Sequence, residues 1–123
     1  MRQCRLCLKA CPTGSIRETH FTIDAERCLT YLNENDGPFP DWVDPTWHNA
    51  IVGCMECQNA CPQNKDLINK IERQVDFTAN ETATILEKTP WDALPKPLRK
   101  KLDQLDMTEY YGVLARNLKV LMG

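Results

Sequence analysis

The apolar positions of this 123-residue chain are sparse in its first half and regularly spaced in its second. Leu67, Ile68 and Ile71 recur at helical spacing and predict a helix over 66–74. Thr78 or Asn80 is placed to cap a helix over 81–88. Pro90 and Pro95 punctuate a connector, and helices are predicted beyond it over 98–105 and 107–122, with Thr108 capping the second. Tyr111, Leu114, Leu118 and Leu121 share one face of that last helix, a stripe expected to pack against the first half of the chain. In the first half, Thr13-Gly14 marks a turn and 15–23 reads as a short hairpin carrying Ile16, Phe21 and Ile23. Asp24 predicts the start of a helix over 25–33, and Asn35-Asp36-Gly37-Pro38 with Pro40 makes a loop.

Composition narrows the classes. No apolar stretch has the length needed to span a bilayer, and no apolar run near Arg2 and Arg5 resembles a signal peptide. The net charge of −2 is unevenly divided: residues 1–62 hold five Lys/Arg against eight Asp/Glu, and 63–123 hold ten against nine. That is not the strongly basic face of a nucleic-acid binder, and the group Lys96, Arg99, Lys100, Lys101 reads as a solvated helix face. No Ser-His-Asp constellation, glycine-rich phosphate loop or paired-carboxylate site is present, so no catalytic residue is named.

Seven cysteines change the picture, because their odd number argues against a closed disulfide framework and for a reducing, cytoplasmic setting. Six of them fall in an internal repeat: Cys4-Arg-Leu-Cys7-Leu-Lys-Ala-Cys11-Pro12 and Cys54-Met-Glu-Cys57-Gln-Asn-Ala-Cys61-Pro62. Runs of this kind hold iron–sulfur cubanes, the last cysteine crossing to the other cluster in two-cluster proteins. Two intervening residues let the loop curl around one cube, and the following proline, lacking an N–H, turns the chain away. The crossing rule joins Cys11 to Cys54 and Cys57, and Cys61 to Cys4 and Cys7. Assigning the remaining Cys28 to the Cys11, Cys54, Cys57 site gives it four thiolates, whereas the other site has three. A run of the usual spacing would have a further cysteine at position 1, where Met1 stands. The expectation drawn from this is a fragment or an internally started product, with a three-iron cluster or an open iron as alternatives. Zinc held by paired cysteines is the competing metal, but zinc sites require neither the third cysteine nor the proline. His20 and His48 read as neighbours of the thiolates, and Trp42 and Trp47 as shields over a cluster.

These residues resemble a known family, the double-cluster module of epoxyqueuosine reductases, and the reductive dehalogenases share a similar arrangement. The resemblance lies in Cys4-x2-Cys7-x3-Cys11-Pro12-Thr13-Gly14, in Arg27-Cys28-Leu29-Thr30-Tyr31-Leu32 and in Gly53-Cys54 through Cys61-Pro62-Gln63-Asn64, and covers residues 1 to about 65. It implies one [4Fe-4S] cluster on Cys11, Cys28, Cys54 and Cys57 and a second on Cys4, Cys7 and Cys61. It also implies cobalamin in a catalytic domain that lies N-terminal to the clusters or on a partner. The acidic stretch 33–44 departs from the tRNA enzyme itself, so a related member of the group is expected.

The expected architecture is α+β and mostly helical. A bacterial-ferredoxin-like core for two [4Fe-4S] clusters is expected over 1–65, with a helical extension over 66–123 packed on it. The expected function is electron transfer by an oxidoreductase module, not catalytic alone, with a redox donor and a cobalamin-bearing domain or enzyme as partners. Family analogy alone adds tRNA, and no membrane partner is expected. A free-standing dicluster ferredoxin and a zinc-stabilised binding module are the alternative readings.

Overall fold

The computed structural model describes residues 4–19 and 22–123. Six α-helices lie among them: α1 (Leu6–Ala10), α2 (Leu29–Glu34), α3 (Glu56–Ala60), α4 (Ala79–Leu86), α5 (Lys96–Gln104) and α6 (Tyr111–Met122). The ferredoxin-like α+β expectation is overturned, because the described residues form no β-strand. What remains of the expected hairpin is an isolated bridge between Ile16 and Ile23. Arg17 N–H donates to the Thr22 carbonyl at 3.1 Å and Asp24 N–H to that of Ser15 at 2.7 Å. Nine residues with few apolar side chains supply no sheet face to bury, and an isolated hairpin is marginal at best. His20 and Phe21, on which part of that expectation fell, lie outside the described residues.

The core belongs to the helices of the second half. Ile85 of α4, Leu98 and Leu102 of α5, Leu114 of α6 and Leu94 of the connector are buried together, with Phe77, Trp91, Tyr111 and Leu118 packed around them. Ile51 and Val52 also pack on this core, just ahead of the second cysteine block. Thr78 caps α4, its hydroxyl accepting the Glu81 N–H at 3.1 Å. Lys101 ties α5 back to α4, its ammonium donating to a Glu81 carboxylate oxygen at 2.6 Å and to the Asp76 carbonyl at 2.7 Å. Of the basic group read as a solvated face, Lys101 is therefore a structural clasp, while Lys96 and Lys100 are exposed.

Three predicted helices differ from expectation. The segment 66–74 forms turns and irregular chain, and its apolar positions face water: Ile71 is 87% exposed and Leu67 58%. A short helix owes its stability to burial of an apolar face, and this stripe meets no surface. The helix expected over 25–33 is broken: a 3₁₀ turn at Ala25–Arg27 ends at Cys28, whose extended backbone (φ −71°, ψ 130°) makes it the residue before α2. The last helix likewise begins at Tyr111 and not at Met107.

Candidate metal centre

The broken helix is the first element of the site, since the joint that interrupts it is Cys28. The Cys28, Cys11, Cys54 and Cys57 side chains line one recess, together with the apolar Ile16, Ile23 and Leu29 and the hydroxyl residues Thr13, Ser15 and Thr30. The four residues expected to form the complete site are thus brought together from three separate stretches of sequence. Cys4, Cys7 and Cys61 do not share that recess. Cys4 is exposed and the other two half-buried, on or beside α1 and α3, which pack against each other.

Each wall of the recess has its own anchor. The first block leaves α1 at Cys11, and Gly14, at φ +65°, turns the chain sharply after Thr13. That turn returns two buried hydroxyls to the Cys11 sulfur, Ser15 Oγ at 3.2 Å and Thr13 Oγ1 at 3.6 Å. Arg27 holds the same loop against Cys28: Nε and Nη2 donate to the Thr13 carbonyl at 3.3 and 3.2 Å, and Trp42 lies over the guanidinium at 4.4 Å. Trp42 therefore covers an arginine beside the site. Trp91 packs edge-on against Tyr111 in the helical core.

The second block is fixed from the other half of the chain. Gly53, at φ +90°, precedes Cys54, and its carbonyl accepts the buried Asn33 amide at 2.6 Å. Asn117 of α6 donates to the Asn33 carbonyl at 3.0 Å and to that of Ile51 at 2.7 Å. Arg116 donates to the carbonyls of Leu32 and Asn33 at 2.9 Å each and of Asn35 at 2.8 Å, and its guanidinium lies over Phe39 at 4.1 Å. This polar clamp joins α6 to the end of α2 and to the approach to Cys54. Nothing in the local sequence marks Asn33, Arg116 or Asn117 as site-supporting. The one available signal is a polar pair, Arg116-Asn117, set in an otherwise apolar stretch of α6.

The thiols are unequal. Burial opposes ionisation of Cys11, but the hydrogen bonds from Ser15 and Thr13 outweigh it and bring its pKa down to about 7. Cys57 is pushed up, first by burial and then by the neighbouring Cys54, Cys11 and Cys28, against a lowering hydrogen bond from Gln58. Mutual repulsion among four thiolates is relieved by cationic metal, so this donor set in an apolar recess fits an iron–sulfur cluster. No three His, Cys, Asp or Glu side chains among the described residues converge as ligands of a single ion would. A cubane asks for something else, spreading its thiolates over four iron atoms. His48 is not among the recess residues; it packs against Phe39 at 4.5 Å, and burial and then Arg116 hold its pKa below the usual imidazole value.

The model of the 4Fe-4S double cluster binding domain matches residues 2–64. The chain belongs to this family. As a double-cluster domain it is also similar to epoxyqueuosine reductases. That of Escherichia coli K12 is 39% identical over 77 residues, which cover 62% of this chain and 20% of the relative. The Salmonella typhimurium LT2 protein is 37% identical over 93 residues, covering 72% and 23%. The Burkholderia pseudomallei protein is 44% identical over 94 residues, covering 73% and 22%. The chain spans about a fifth of the length of these relatives. No solved structure matches it. No helix among the described residues is long and apolar enough to cross a membrane.

Proposed function

We propose that this double-cluster domain is an electron relay, with Cys11, Cys28, Cys54 and Cys57 holding one [4Fe-4S] cluster and Cys4, Cys7 and Cys61 contributing to a second. The observation that carries the reading is the shared recess of the four thiols predicted to act together. When bound, such clusters accept and release single electrons at potentials set by their surroundings. The chain's own residues hold the iron, exclude water with an apolar wall and orient the thiolates through the Asn33, Arg27 and Asn117 contacts. The relay is proposed to serve a cobalamin-bearing reductase domain, on the same polypeptide or on a partner, and to be charged by a low-potential donor. Similarity to epoxyqueuosine reductases supports that choice of partner, and a tRNA substrate would then be met by the catalytic domain.

The test is anaerobic reconstitution with iron and sulfide, with metal analysis, visible absorption and electron paramagnetic resonance after dithionite reduction. The expected product is brown and one-electron reducible, with about eight irons per chain if both sites fill and about four if the four-thiolate site alone does. Zinc retained in place of iron under these conditions would overturn the reading. With reduced viologen as donor, the isolated chain is expected to give no turnover of epoxyqueuosine-tRNA, and turnover would show that it is more than a relay.

A further inference from the structure

The two cysteine blocks share their spacing but differ in the residues just beyond it. After Cys11-Pro12 come Thr13 and Ser15, and at the matching positions after Cys61-Pro62 stand Gln63 and Lys65. Resting on the ligand partition proposed above, we infer that Thr13 and Ser15, assisted by Asn49, set the reduction potential of the cluster at the Cys11, Cys28, Cys54, Cys57 site.

The geometry is specific to that site. Ser15 is 2% exposed and Thr13 5%, and their hydroxyls approach the Cys11 sulfur at 3.2 and 3.6 Å. A cysteine bound to iron carries no proton, so in the loaded protein both hydroxyls must donate. Asn49 donates from Nδ2 to the Cys54 sulfur at 3.3 Å, and its orientation is fixed because Oδ1 accepts the Met55 N–H at 3.0 Å. Gln58 adds a longer contact to Cys57 at 3.8 Å. Among the described residues no side chain donates to Cys4, Cys7 or Cys61. In the second block the Asn64 amide is turned to Gln58 instead, donating to its carbonyl at 3.0 Å and its side-chain oxygen at 2.9 Å.

The direction of the effect comes from charge. Reduction adds one electron from an outside low-potential donor such as dithionite, with no bond made or broken, and part of the added charge lies on the sulfurs. The buried Leu29 and part-buried Ile16 beside the thiols disfavour that charge, and aligned donors offset the cost. Buried hydroxyls, shielded from competing water, act at full strength. Removing one such charge-assisted bond is expected to shift the reduction equilibrium about tenfold toward the oxidised form, about 59 mV for one electron.

The test is a redox titration of the anaerobically reconstituted chain monitored by electron paramagnetic resonance, comparing the parent with Ser15→Ala and Thr13→Val. Cys28→Ser and Cys61→Ser identify which one-electron wave belongs to which site. Ser15→Ala and Thr13→Val are each expected to lower the wave assigned through Cys28 by about 59 mV, to leave the other in place and to keep the iron content. If Ser15→Ala fails to retain the cluster, Thr13→Val, which preserves side-chain shape and the backbone carbonyl used by Arg27, decides the matter. An unmoved wave, or equal movement of both, overturns the tuning role while the partition stands. If Cys28→Ser and Cys61→Ser disturb the same wave, the partition itself has failed.

Discussion

Truncating Asn117 to alanine removes the buried junction between the helical half and the cluster site. Asn117 is 2% exposed, and its amide donates to the carbonyls of Asn33 and Ile51 while its oxygen accepts Arg116 Nε at 2.9 Å. The Asn33 carbonyl keeps a second donor in Arg116 Nη2, so its loss is small. The Ile51 carbonyl and Arg116 Nε lose their partners; both contacts are part-buried, so water partly replaces them and each loss falls at the low end of the range of about 1–3 kcal/mol for an unpaired polar group. The sum is about 2 kcal/mol, a sizeable part of the ~5–15 kcal/mol that holds a domain together. For a chain of this length that corresponds to a fall in Tm of about 8 °C. Thermal unfolding of the reconstituted parent and Asn117→Ala, monitored by circular dichroism, measures it, with iron release to a chelator recorded alongside. Because Asn33 lies on α2 beyond Cys28 and donates to Gly53 before Cys54, iron should leave the four-thiolate site faster and the other site little changed. A loss of less than about 1 kcal/mol would refute the cost assigned to the junction. Equal acceleration at both sites would refute its link to Cys28 and Cys54.

Cys28→Ser is expected to damage the Cys11, Cys54, Cys57 cluster and spare the other, read as loss of one paramagnetic signal; a Cys28 readily alkylated in the loaded protein would contradict its place in the site. The Cys4, Cys7, Cys61 cluster, with an exposed ligand and three thiolates assigned, should lose iron first in air, and equal loss rates would count against the assignment. The Lys101 hydrogen bond, helped by Thr78 and opposed by burial, holds the Glu81 carboxyl below its ordinary value of 4.5. A carboxyl depressed in the folded chain stabilises fully above its unfolded pKa and ceases to do so as pH falls through the folded one. Tm differences between parent and Glu81→Gln should therefore be constant from neutral pH to about 4.5 and shrink below it, and a pH-independent difference would disprove the coupling. Lys88 ends α4 with φ +59°, so Lys88→Gly should raise stability by about 1 kcal/mol in thermal unfolding, and a loss would show that its side chain matters more than the strain.

The cysteine register was legible in the sequence because ligand chemistry is local. Two intervening residues, then three, then proline constrain how a loop can wrap a cluster, whatever the rest of the chain does. The recess brings Cys11, Cys54 and Cys57 of these blocks together with Cys28, which belongs to neither block. Residues 66–74 show the opposite case: their spacing was helical, but spacing says nothing about whether a surface exists to receive the face, and here none does. The expected sheet failed for a related reason, since a ladder needs a partner and an apolar face, and 15–23 supplies little of either. Cys28 stood inside a predicted helix, and the break that turns it toward the recess comes with Arg27 reaching the Thr13 carbonyl, a contact between residues fourteen apart. Spacing alone points to the cysteines as the metal ligands and to roughly where helices run. Tertiary structure decided how the walls of the site are held, because Asn33, Arg116 and Asn117 act on backbone carbonyls, and a carbonyl leaves no mark in the sequence of its partner.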